Sequence, residues 1–234
     1  MELDAAFPET TWGVVCAFRP RDAAERRAGM ETLCRRYWAP IHRFVQAALA
    51  LPPGDDAGDL TQDFFVWLLE GDVLARFVPE RGSFRAYLKG LLRNYARNAV
   101  RAARREKRGG GARPVPLDDL PQDPADPRWV EAERAFDRAW VEEVTARALE
   151  RVRASLEGGK HAVRWALFQA YDLADRDARP SYAELAARHG LKEKDVSNHL
   201  QAARERLRRE ARLELGDTVA SPEDLEDEWR ALVG

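Results

Sequence analysis

Four aspartates crowd residues 55–63 and are the first side chains that could do chemistry; they are Asp55, Asp56, Asp59 and Asp63. Carboxylates gathered in this way can hold a divalent cation. An N-cap with an acidic surface behind it explains the same residues, because Asp is a favoured N-cap and Asp59 stands just before an apolar helical pattern. Asp59 and Asp63 also lie one helical turn apart on one exposed face. We therefore favour a cap with an acidic surface over a metal site, and the exposed face also suits a partner.

The other nucleophiles, bases and metal ligands form no catalytic pattern. The glycines at 109–111 follow a helical pattern and precede prolines, so they do not form a phosphate-binding loop. The Gly159-Lys160 pair is not a P-loop, because Ala154 stands where a glycine is needed and His161 replaces serine or threonine. The four histidines and two cysteines lack the spacing of a zinc site. The sequence thus predicts no catalytic residue, no metal and no cofactor, and a protein that is not an enzyme.

The segment 83–113 is strongly basic, although the formal charge of the whole chain is only −2. It holds ten lysines and arginines against one acid, Glu106. Its apolar residues recur every three or four positions, which predicts an amphipathic helix. Rings and amides are interleaved with the charges: Phe84, Tyr87, Asn94 and Asn98. Cations for phosphates, rings for bases and amides for base edges indicate a nucleic-acid surface; the alternative is a solvated basic helix with core aromatics.

The segment 179–209 has the pattern of a helix-turn-helix. Ser181 and Glu184 form a capping box that starts a short helix, and Gly190 supplies a tight turn. The next helix places Val196, Leu200, Ala203 and Leu207 on its inner face. Its outward residues are polar and basic, as a major groove requires: Lys194, Ser197, Asn198, Gln201, Arg204 and Arg208. A helical hairpin without a ligand is the alternative.

The overall pattern predicts an all-α fold in which two helical domains are joined by a flexible linker rich in proline and glycine. The expected divisions are an N-terminal extension at 1–23, a first domain at 24–108, the linker at 109–129, a second domain at 130–213 and an acidic tail at 214–234. No apolar run is long enough to span a membrane, and no signal peptide is visible. With only two cysteines, this pattern predicts a cytoplasmic location.

The tail carries seven acids and no base between residues 214 and 228. A solubilising end is one interpretation, and the one we favour. The other is self-masking, in which the tail lies on the basic helix-turn-helix and competes with phosphates.

Three stretches in this order resemble bacterial RNA polymerase sigma factors, specifically the small two-domain extracytoplasmic-function type. Residues 59–69, DLTQDFFVWLL, are similar to the polymerase-binding helix of that family. Residues 83–105 are similar to the helix that melts and reads the minus-ten element, and residues 181–209 to the helix-turn-helix that reads the minus-thirty-five element. The resemblance covers about residues 25–108 and 134–213. The chain departs from the common pattern at Tyr87, Lys192 and His199, which concerns promoter sequence more than function.

The resemblance implies a role for each matched position. Docking on the core polymerase would fall to Asp59, Gln62, Asp63 and Phe65. Capture of the melted minus-ten strand would fall to Phe77, Arg81, Phe84, Tyr87, Lys89, Asn94, Arg97, Asn98, Arg101, Arg104 and Arg105. The minus-thirty-five element would be read by Lys194, Ser197, Asn198, His199, Gln201, Arg204 and Arg208.

The function expected from the resemblance is that of a promoter-specificity subunit, which binds core RNA polymerase, recognises and melts promoter DNA and starts transcription. The expected partners are the largest polymerase subunits and promoter DNA, with an anti-sigma protein as a further candidate. A freestanding dimeric helix-turn-helix regulator is the main alternative, although no extra apolar stripe for a dimer interface is visible. A nuclease that uses the aspartate cluster is a weaker alternative, because no metal or nucleophile constellation accompanies the acids.

Overall fold

The computed structural model describes residues 23–50, 57–71, 73–78, 82–106, 127–216, 219 and 222–233. All regular structure in these ranges is helical, which confirms the predicted all-α fold. The eight α-helices are α1 (Ala23–Ala48), α2 (Ala57–Glu70), α3 (Phe84–Glu106), α4 (Pro127–Leu156), α5 (Ala162–Tyr171), α6 (Tyr182–His189), α7 (Glu193–Gly216) and α8 (Pro222–Val233). Short 3-10 turns lie at Leu74–Arg76, Gly159–His161 and Arg176–Ala178. None of these helices is long and apolar enough to cross a bilayer.

The chain divides into two compact units, and the division falls inside α4. The first unit contains the described residues up to Glu143 and those from Gly216 onwards; the second is Val144–Leu215. The sequence placed the boundary near residue 130, at the end of a proline-rich stretch. Proline at the first position of a helix is well tolerated, and α4 begins at Pro127. Buried Trp129 and Phe136 then bind the first half of α4 into the first unit.

An aromatic core holds the first unit together. The ring of Tyr37 on α1 meets Phe84 of α3 edge-on at 5.6 Å between centroids and stacks on Phe136 of α4 at 6.4 Å. Phe64 of α2 meets Tyr95 of α3 edge-on at 5.2 Å. These contacts join four helices in one core, and aromatic pairs in such geometries add stability beyond their buried area. Pro40 lies inside α1 and does not divide it.

The second unit packs α5, α6 and α7 against the end of α4. Its core consists of buried residues from these four helices: Val152, Leu156, Trp165, Leu167, Phe168, Leu185, Ala186, Val196, Leu200 and Ala203. The inner face predicted for α7 is confirmed, because Val196, Leu200 and Ala203 are fully buried and Leu207 packs against them.

Candidate nucleic-acid interface and docking face

Helix α3 begins where the sequence predicts, with a serine cap. The hydroxyl of Ser83 accepts a hydrogen bond from the backbone N–H of Ala86 at 3.2 Å, which satisfies one of the free donors at a helix start. The four basic residues that follow at steps of four, Arg85, Lys89, Arg93 and Arg97, are called here the basic stripe. Because a step of four drifts by about 40° on a helix, the stripe winds around α3.

Acidic side chains of α4 cover the basic stripe. Arg85 Nη1 lies 2.6 Å from Asp137 Oδ1, and Lys89 Nζ donates to both Asp137 oxygens at 3.0 Å. Arg93 Nη2 lies 2.5 Å from Glu133 Oε1. Only 13%, 17% and 30% of the Arg85, Lys89 and Arg93 side chains are exposed. The stripe therefore joins α3 to α4 and is not an open cationic surface.

This covering changes the interpretation of two residues predicted to contact minus-ten DNA. Lys89 is held by Asp137, so it has little surface left for a phosphate. The guanidinium carbon of Arg97 lies 5.4 Å from the centroid of the Trp129 ring, a cation–π distance. Both side chains have partners on α4, a helix that begins 38 positions after Lys89 in the chain.

A second face of α3 borders an open cleft of about 340 Å³. Its lining residues come from the start of α3 and from the segment that begins at the end of the 3-10 turn: Arg76, Phe77, Val78, Gly82, Ser83, Ala86 and Tyr87. The Tyr87 ring packs 5.3 Å from Phe77, which meets Phe84 edge-on at 5.4 Å. Phe77 and Phe84 are themselves buried. Tyr87 is thus the ring best placed to meet a ligand in the cleft, and the two phenylalanines support it.

The hydroxyl of Tyr87 fixes the ring at the edge of the cleft. It donates a hydrogen bond to the carbonyl of Val73 at 2.5 Å. Burial raises the pKa of Tyr87, and the positive charge of Arg76 opposes part of that rise. The phenol therefore remains a neutral donor at ordinary pH.

The structure describes the remaining residues predicted to contact minus-ten DNA only in part. Asn94 and Asn98 are half-buried on α3, and the Asn98 Oδ1 atom is buried without a hydrogen-bond donor among the described residues. Arg101, Arg104 and Arg105 continue α3, although their side chains lie outside the described ones. Arg81 also lies outside the described residues.

Helix α2 presents an acidic and apolar face to solvent. Asp59, Gln62 and Asp63 are exposed, and the exposure of the two aspartates agrees with the exposed face expected from the sequence. Phe65 is different, because it is only 4% exposed and its ring stacks parallel to Trp38 at 5.7 Å. Its burial leaves it little surface for a partner, so its position is that of a support beneath Trp38.

Sequence reasoning missed three apolar residues on the same side of the first unit. Trp38, Val66 and Leu69 are 41%, 43% and 46% exposed. Val66 lies four positions after Gln62, and Leu69 three after Val66, so they share its helix face. The spacing of Val66 and Leu69 from exposed Gln62 was the signal in the sequence that could have identified them.

The helix-turn-helix of the second unit forms by the local signals seen in the sequence. Ser181 and Glu184 make both hydrogen bonds of the capping box, and the bonds from Ser181 lower the pKa of Glu184. Gly190 has φ +65°, a conformation that costs most residues with a side chain about 1–2 kcal/mol. Lys192 stands before α7, and its backbone N–H points to the Asp195 carboxylate at 3.4 Å. The Asp195 carboxylate thus accepts from the backbone N–H of Lys192, as the acidic residue of a capping box does.

The outer face of α7 is open to solvent, with two exceptions. Lys194, Ser197, Asn198, Gln201 and Arg208 are exposed, and His199 is half-buried. Arg204 is held by Asp172 through bonds of 2.8 to 3.2 Å. These bonds raise the pKa of Arg204. Arg204 therefore attaches α7 to the end of α5. The sequence had instead predicted that it contacts DNA.

No group of histidine, cysteine and acidic side chains in the described part of the chain is placed to hold a metal ion. Asp55 and Asp56 lie outside that part.

Residues 33–106 match the family model of sigma-70 region 2. The matched span runs from within α1 to the end of α3, so it includes the α2 face, the cleft and the basic stripe. No curated protein and no solved structure matches the chain. This match supports an RNA polymerase sigma factor, a class of non-catalytic initiation subunits. Such a domain implies binding to core RNA polymerase and to promoter DNA.

Proposed function

We propose that this protein is a cytoplasmic sigma factor of the small two-domain extracytoplasmic-function type. It binds core RNA polymerase through the exposed face of α2, receives a melted minus-ten strand at the α3 cleft and reads the minus-thirty-five element with α7. An anti-sigma protein is a further proposed partner. The observation that carries the proposal is the presence, in one chain, of a sigma-70 region 2 domain and a separate helix-turn-helix unit with an exposed polar outer face.

The physical requirements of promoter opening support this proposal. An unpaired base needs a ring to stack on and a recess to enter. Tyr87 stands at the rim of a cleft of about 340 Å³, and Asn94 lies about two helical turns further along α3. The chain itself carries out no covalent step, because the polymerase performs the chemistry.

Run-off transcription with purified core RNA polymerase tests the proposal. The expected result is that core enzyme with this protein starts transcripts at discrete sites on genomic fragments, whereas core enzyme alone does not. Mapping the start sites should reveal two shared sequence elements upstream. Operator binding by the protein alone as a dimer, with no transcription from core enzyme, would instead support the freestanding regulator.

Substitutions on α7 should separate promoter reading from stability. Replacing Asn198 or Gln201 by alanine should cost about 1–3 kcal/mol of minus-thirty-five discrimination if these amides contact base edges. The matched control is Val196→Ala, which removes a fully buried side chain and should lower stability by about 2 kcal/mol without changing the preferred sequence. Promoter selection from a randomised library measures preference, and thermal unfolding measures stability. An unchanged preferred sequence in the Asn198 and Gln201 variants would contradict the groove assignment.

A further inference from the structure

A buried carboxylate of the acidic helix α8 pairs with an arginine of α3. Glu228 is only 4% exposed, and its Oε2 atom lies 2.7 Å from Arg85 Nη2. Arg85 Nη1 lies 2.6 Å from Asp137, and its guanidinium carbon lies 4.4 Å from the centroid of the Trp140 ring. Arg85 is therefore shared between two carboxylates and an aromatic ring. This contact lies in the first unit, whereas the tail had been considered as a mask for the helix-turn-helix.

Glu228 depends on this contact more than Arg85 does. If α8 leaves, Arg85 keeps Asp137 and Trp140, so the buried guanidinium remains paired. If Arg85 is lost, Glu228 loses the cation beside it, and an unpaired buried charge is costly. The first unit can therefore release α8 without breaking the join between α3 and α4. This is the property expected of a removable element.

The seat of α8 lies at the same end of α3 as the candidate DNA cleft, on the face that carries the basic stripe. Arg85 lies between Ser83 and Ala86 in the chain, and both line the cleft. Helix α8 carries five acids and one arginine in twelve residues. Arg85 is within about one helical turn, 5.4 Å, of both lining residues. At moderate salt, screening extends over about 10 Å, so the acids of α8 repel a phosphate that approaches this end of α3.

We propose that α8 is an intramolecular acidic latch, which seats Glu228 on Arg85 and disfavours nucleic acid at the α3 cleft of the free protein. The occupant of this surface is thus the chain's own C-terminal helix, and nucleic acid is its competitor. The inference rests on the proposed function in one respect, namely that a single strand enters the cleft. The seating of α8 itself does not depend on that function.

Two charge reversals on adjacent residues of α8 test the latch. Glu228→Lys places a cation against Arg85 and should release α8. Asp227→Lys makes the same change in net charge at a side chain that is 69% exposed and paired with Arg230, so it should leave α8 seated. Hydrogen exchange of the α8 amides in the full-length protein reports seating. Circular dichroism checks that both variants fold.

Binding of a labelled single-stranded oligonucleotide at 0.1 M salt then measures access to the cleft. Glu228→Lys should bind the oligonucleotide at least about threefold more tightly than Asp227→Lys. This ratio of affinities should fall towards one as salt is raised, because the screening length shortens. Equal protection of α8 in both variants, or equal affinity once α8 is released, would overturn the latch. If no variant and no wild-type protein binds single strands or supports transcription, the proposed function fails as well.

Discussion

Replacing Asp59 and Asp63 together by arginine should abolish binding to core RNA polymerase while the helix content stays unchanged. Both carboxylates are exposed on α2, so their loss removes a contact surface and no part of the core. Asp59 lies in the first turn of α2, where its favourable interaction with the helix dipole is worth only about 0.3–1 kcal/mol. Opposing charges across an interface cost several kcal/mol. We therefore expect the dissociation constant to rise by roughly a hundredfold or more.

The matched control reverses two other exposed acids of the first unit, Glu31 and Glu142. Glu31 pairs with Arg35 only at the surface, where 69% and 67% of the two side chains are exposed. Such a pair contributes little to stability. The double variant Glu31→Arg with Glu142→Arg has the same net charge as the docking variant and should retain binding. Equal loss in both variants would show a general charge effect, and retention in both would remove the docking assignment from α2.

The exposed apolar neighbours extend this test. Leu69→Ala should weaken polymerase binding without changing the unfolding temperature, because the Leu69 side chain is about half exposed. Phe65→Ala should lower the unfolding temperature and leave polymerase binding nearly unchanged, since it opens a cavity beneath Trp38 in the folded protein. Measuring affinity and stability for both variants separates a docking residue from a supporting one.

Local sequence signals predicted those parts of the structure that depend on neighbours in the chain. The capping box of α6 joins residues three positions apart, and the turn at Gly190 depends on a single backbone angle. The inner face of α7 follows from the helical period alone. Features of this kind are set within one or two turns, so a sequence displays them directly.

Such local signals could not predict ion pairs between residues that are far apart in the chain. The stripe from Arg85 to Arg97 has the charge of a nucleic-acid surface, but its partner Asp137 lies 52 residues after Arg85. Arg204 likewise has the spacing of a groove contact, and Asp172 lies 32 residues before it. A basic residue looks the same in sequence whether it meets phosphate or a carboxylate. Only the packing of α4 and α5 decides between them.

The domain boundary was difficult for a related reason. Proline and acidic residues before Val130 indicated a linker, while the apolar pattern continued from Trp129 into α4. Ala132, Phe136 and Trp140 are buried in the first unit. A helical pattern gives the buried face but not the identity of the surface that covers it, so one helix could not be divided between two units from its sequence.

Replacing Tyr87 by alanine should reduce binding of a melted minus-ten strand by roughly 5- to 150-fold. The basis is base–aromatic stacking, which is worth about 1–3 kcal/mol per base, with about 1.4 kcal/mol for each factor of ten. Tyr87 lines the cleft, and its ring is less buried than that of Phe77, the other aromatic in the lining. The assay is binding of core enzyme with each variant to a fork-junction promoter whose minus-ten strand is already single.

Two further variants make the result specific to the ring and to this face of α3. Tyr87→Phe removes the hydrogen bond to the Val73 carbonyl but keeps the stacking surface, so it should retain most of the affinity. Lys89→Met removes a cation that the structure pairs with Asp137, and Arg85 remains beside that carboxylate. It should therefore leave strand binding nearly unchanged. A loss with Lys89→Met that equals the loss with Tyr87→Ala would mean that the basic stripe, and not the cleft, holds the strand, and that α4 must move away from α3 when promoter DNA opens.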